Sequence, residues 1–61
     1  MSTDAKFARA SVTGRRGGVG IWRWTATGEP VDAATLAEFR AARLITEAEQ
    51  RATILAADAG K

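Results

Sequence analysis

Apolar and polar positions alternate most clearly between Gly20 and Gly28. Successive side chains of a strand point to opposite faces, so Trp22, Trp24 and Ala26 share one side and Val19, Ile21, Arg23 and Thr25 the other. Trp, Ile, Val and Thr suit a pleated, half-buried surface, and the pattern predicts a strand over residues 19–26. A weaker strand pattern runs from Phe7 to Thr13. The glycine-rich Gly14-Arg15-Arg16-Gly17-Gly18 between them reads as the turn of a β-hairpin over residues 7–26. Residues 1–5 are polar and are expected to form a flexible N-terminus.

The period changes after the turn Thr27-Gly28-Glu29-Pro30, because Pro30 cannot continue an interior strand. Asp32 is placed to cap a helix over about 33–43 with Leu36 and Phe39 inward. Leu44-Ile45 interrupts it, and Thr46 with Glu49 forms the capping box of a second helix over 47–59. Glu47 and Arg51 are oriented for an i, i+4 pair, and Gly60 suits the position just beyond the helix end. The inward side of this helix is expected to carry Ala48, Ala52, Leu55 and Ala59, with Ile54 beside it. The fold class is therefore α+β: a single domain over residues 6–60, in which a two-stranded hairpin packs its Trp face on two short helices at Leu36, Phe39, Ile45 and Leu55.

Two registers are open to the hairpin. A five-residue loop over Gly14–Gly18 sets Thr13 opposite Val19, Ala10 opposite Trp22 and Ala8 opposite Trp24, so that small residues face the indoles. It also sets Arg9 directly against Arg23, which is unfavourable. A tighter Gly17-Gly18 turn shifts the pairing and moves Arg9 to the Trp side. The match of small to large side chains favours the first.

Composition narrows the functions. The 61 residues contain no cysteine and no histidine, which removes disulfides, thiolate chemistry, the commonest zinc ligands and the usual general base. Neither a metal nor a cofactor nor a small-molecule substrate is expected. Ser11, scattered threonines and diverging glutamates make no catalytic set, so the chain reads as not an enzyme. A domain this small is short of core and commonly leans on a partner or on self-association. No stretch approaches the roughly 20 apolar residues of a membrane span and no leader pattern opens the chain, so it reads as cytoplasmic. The wealth of arginine and alanine over lysine and bulky aliphatics points to a GC-rich genome, such as that of an actinobacterium or its phage.

Charge is uneven. Residues 1–30 set Lys6, Arg9, Arg15, Arg16 and Arg23 against Asp4 and Glu29, a net +3, whereas residues 31–61 carry a net −1. Arginine grips carboxylate or phosphate bidentately, so Arg9, Arg15, Arg16 and Arg23 are the candidate binding residues, with Trp22 and Trp24 as either core or an aromatic platform. The glycine-rich segment is no phosphate loop, since it lacks the Gly-Lys-Ser/Thr ending and precedes a strand. Protein–protein contact is the favoured function, as an adaptor, accessory subunit or phage-type effector. The alternative is a small DNA-binding transcriptional regulator that presents the basic hairpin to a duplex.

Leu44-Ile45-Thr46-Glu47-Ala48-Glu49, with Ile54-Leu55 downstream, resembles the helix–turn–helix of SHOCT domains. In that family a leucine-bearing helix meets a Gly-Leu-Ile-Thr-Glu-Glu-Glu-like turn and a basic amphipathic helix. Arg43 stands where the family has glycine and Gln50 where it has an aromatic. The resemblance covers about a third of the chain and implies oligomerisation or partner contact without catalysis.

Overall fold

The computed structural model describes residues 3–59, with Arg15 and Arg16 described by backbone alone. In chain order the elements are α1 (Thr3–Phe7), β1 (Ala10–Arg16), β2 (Val19–Trp24), α2 (Ala33–Ala41) and α3 (Glu47–Ala59). The α+β architecture is the one the sequence pattern predicts, a two-stranded antiparallel hairpin followed by two helices. A helical turn nevertheless begins at Thr3, inside the stretch expected to be flexible, and ends at Phe7, where the first strand was expected to start. Met1 and Ser2 lie outside the described residues, as does the expected cap at Gly60.

The hairpin takes the tighter turn. Gly17 and Gly18 both have positive φ, 63° and 85°, the backbone of a type I′ turn, whose twist matches that of the flanking strands. Arg16 therefore pairs with Val19, and a bulge at Gly14 resets the ladder to Thr13–Ile21, Val12–Trp22, Ser11–Arg23 and Ala10–Trp24. This corrects the favoured register. Two adjacent glycines that can both enter the left-handed region outweigh the match of small to large side chains. Arg9 lies opposite Thr25 and not Arg23. Gly20 has a steric role of its own, since Val12 occupies the space that a β-carbon at Gly20 would need.

Antiparallel strands expose alternate backbone groups to either edge, and on β2 those of Trp22 and Trp24 find partners elsewhere in the fold. The Trp24 N–H donates to the Glu29 carbonyl at 2.9 Å, and its carbonyl accepts from Gly28 at 2.7 Å. The Trp22 carbonyl accepts from the Val31 N–H at 3.1 Å. The Trp22 N–H has no such backbone partner. It donates to Thr53 Oγ1 at 3.0 Å, while that hydroxyl donates to the Glu49 carbonyl at 2.8 Å. Thr53 is wholly buried. A side chain of α3 thus completes the strand edge and fixes where the helix lies.

The core is Val31, Leu36, Phe39 and Ile45, bordered by Phe7, Ala10, Trp22, Trp24, Leu44 and Ile54. The Phe7 ring lies 4.8 Å from Trp22 and 5.2 Å, edge-on, from Phe39. The Trp24 ring meets Phe39 at 6.4 Å. These are favourable tilted and edge-to-face separations. Leu55 does not take part. It is 48% exposed, and the buried side of α3 carries Ala52 and Thr53 in place of the expected Ala48, Leu55 and Ala59.

Both helix boundaries follow capping chemistry. Asp32 accepts from the Thr35 amide at 3.0 Å and from the Thr35 hydroxyl at 2.8 and 2.9 Å. At the other end of α2, Arg43 donates to the Arg40 carbonyl and Leu44 to that of Phe39, a Schellman motif that turns on Arg43 at φ 60°. The position is one that glycine would hold without strain. The capping box of α3 forms in both directions, from Thr46 N–H to Glu49 at 2.9 Å and from Glu49 N–H to Thr46 Oγ1 at 3.1 Å. The expected Glu47–Arg51 pair closes at 3.2 Å on the exposed side.

Two outcomes test this fold. Replacing Thr53 by valine strands the Trp22 amide, so denaturant unfolding should show a loss of about 1–3 kcal/mol. Hydrogen exchange at the Trp22 amide should accelerate in Thr53→Val and stay slow in Thr53→Ser. The hydroxyl of Thr35 holds the Asp32 carboxyl below the ordinary carboxylate range. A lowered folded-state pKa contributes stability above the unfolded value that disappears as pH falls through the folded one. Thermal melts should therefore drop as pH falls below about 4, and the part of that drop due to Asp32 should vanish in Asp32→Asn.

Candidate binding site

The expected arginine set is divided by the fold. Arg23 faces Ser11 across the hairpin, and its guanidinium donates to the Gly28 carbonyl at 3.1 Å, which ties β2 to the following turn. Arg15 and Arg16 pair in backbone register with Gly20 and Val19, beside the turn. Arg9 lies at the other end of β1, about 20 Å away at the rise of a strand. Its backbone extends the ladder through a 2.8 Å bond from the Thr25 amide to the Arg9 carbonyl. Its side chain is exposed and meets no carboxylate or carbonyl among the described residues.

Arg9 borders an open cleft of about 420 Å³ with Lys6, Trp24, Thr27, Glu29 and Thr35. The α1 helix brings Lys6 to the rim, where its ammonium pairs with Glu38 at 3.2 Å. Trp24, packed on Phe39 on one side, supplies apolar surface to the cleft on the other. The result is a half-buried indole beside one guanidinium with no internal acceptor. Such a surface suits a planar or aliphatic group adjoining a carboxylate or phosphate. Lys6, Thr27, Glu29 and Thr35 were not among the expected site residues, because only tertiary packing of α1 and the 27–30 turn gathers them there.

The indoles differ. Trp22 is held by Phe7 and Thr53, and its Nε1 is buried without a hydrogen-bond partner. Trp24 is shared between core and cleft. No three acidic side chains among the described residues come together as a metal would require, and none of the described helices is long and apolar enough to cross a membrane. No protein-family model, curated protein or solved structure matches the chain.

Their roles separate on substitution. Trp22→Ala should lower unfolding stability by about 3 kcal/mol or more. Trp22→Phe, which keeps a ring against Phe7 and removes the unpaired N–H, should stay within about 1 kcal/mol of the native chain, as read by urea titration.

Proposed function

We propose that the chain is a small non-enzymatic protein-binding module, acting as an adaptor, accessory subunit or phage-type effector. Its contact surface is the basic side formed by α1 and β1. The observation that carries this reading is Arg9, a guanidinium without an internal acceptor next to the exposed part of Trp24. The other cations of the amino-terminal half with described side chains, Lys6 and Arg23, already have partners within the fold. A charged donor beside an aromatic surface is the combination enriched where protein partners bind. The SHOCT-like turn, with Arg43 holding at φ 60° the place of the family's glycine, is consistent with a domain that works by contact.

The alternative, a small DNA-binding regulator, is less well supported by the geometry. A ribbon that enters a groove needs a free face, and β2 carries Trp22 against the core on one side and the buried Ile21 on the other.

Salt decides between them. Fluorescence-anisotropy titration of a labelled duplex should show no binding that steepens as salt falls from about 200 to 50 mM. A partner that co-purifies with the native protein should be lost on Arg9→Ala. Tight, salt-sensitive duplex binding that disappears when Arg15 and Arg16 become alanine would overturn the reading in favour of the regulator.

A further inference from the structure

The two edges of the hairpin are treated differently. On β2 every outward backbone group described above is satisfied, by Gly28, Glu29, Val31 and Thr53. On β1 the outward groups belong to Ala10 and Val12, because these residues oppose Trp24 and Trp22 in the ladder. None of the described backbone hydrogen bonds outside the ladder involves either residue. The long helix α3 lies along β2, and β1 packs chiefly on its own hairpin partner. Val12 is 49% exposed. From Ala10 to Thr13 the strand carries no charge and no proline, two of the devices that keep natural edges from pairing.

Resting on the protein-binding reading, we propose that this open edge is where the partner docks: an extended, acidic segment of another protein adds to β1 as a third strand. Main-chain hydrogen bonds to Ala10 and Val12 supply the pairing, as in other cases of strand addition. The charge at the two ends selects the occupant. Arg9 precedes the free stretch in sequence and Arg15 and Arg16 follow it, so a strand laid along β1 runs between cationic positions at its two ends. A second copy of this chain fits poorly. Antiparallel self-pairing about Ser11 brings the Arg15–Arg16 end of each copy towards the Arg9 end of the other, so positive charge accumulates at both ends of the pair and opposes it. An acidic segment meets the same positions with opposite charge.

The test uses the whole chain, labelled with ¹⁵N, and a synthetic eight-residue peptide with two glutamates at each end of an alternating valine–threonine core. Titration should shift the Ala10 and Val12 amides first and slow their hydrogen exchange. A matching peptide with lysines in place of the glutamates should bind at least tenfold more weakly. In a synthetic chain carrying N-methyl valine at position 12, which removes the outward donor and blocks the edge, affinity for the acidic peptide should fall at least tenfold while tryptophan fluorescence stays unchanged.

Shifts confined to Lys6, Trp24 and Thr27, or equal binding of the two peptides, would overturn strand addition and leave the protein-binding reading standing. Absence of binding, or a concentration-dependent dimer that protects Ala10 and Val12, would also overturn it. A duplex that displaces the peptide would remove both.

Discussion

A hairpin standing alone has two edges, and each outward amide or carbonyl on them needs a partner or water. Closing the outer edge of β2 is the constraint from which the rest of this structure follows. The chain doubles back after Thr27 so that Gly28, Glu29 and Val31 bond to Trp22 and Trp24, leaving the Trp22 amide to find another acceptor. The hydroxyl of Thr53 takes it. Because that hydroxyl also bonds within its own helix, α3 is anchored to β2 at a fixed height and rotation. Trp22 and Trp24 then face Phe7 and Phe39, and β1 is left on the side away from α3.

Where a short-range rule acted alone, the sequence was readable. The alternation through Trp22 and Trp24 marked β2, Asp32 marked the start of α2, and Thr46 with Glu49 marked α3. Each depends on residues within a few positions of one another. The register was harder, because two local rules conflicted. Pairing small with large side chains is worth a fraction of a kcal/mol per pair, whereas the two glycines allow a turn whose twist suits the strands without strain. Thr53 stands outside the apolar pattern that marks the inward side of α3. Its burial is legible only once the unpaired Trp22 amide is known, and that is a tertiary fact. Leu55 was misplaced for the same reason. The helix turns to present Thr53 to β2, which moves the apolar residue two positions on to the solvent side.

Candidate binding residues were legible as a type but not as a set. Counting arginines shows where positive charge is concentrated and cannot show which guanidinium is already engaged. Arg23 is occupied by a turn carbonyl and Arg51 by Glu47, so neither is as available as its charge suggests. Arg9 is distinguished by lacking such an acceptor and by its position next to Trp24. That neighbourhood exists because Phe7 belongs to a helix. One aromatic residue ending a single polar turn carries no periodic signal, yet it carries Lys6 to the cleft and closes the core over Trp22.

A partner bound on this side would change stability. Among the described residues the central buried cluster is Val31, Leu36, Phe39 and Ile45, and one of its bordering rings, Trp24, also lines the cleft. A partner that covers this ring and pairs with β1 removes further apolar surface from water and satisfies backbone groups that the monomer leaves to solvent. Anything that binds only the folded form raises its apparent stability by mass action. In a chain of 61 residues net stability is a small difference between large terms, so such an increment would count. The closure of β2 and the exposure of β1 are two sides of one arrangement: the chain commits its limited hydrogen-bonding partners to one edge, and on the other the outward groups of Ala10 and Val12 have no described backbone partner outside the ladder.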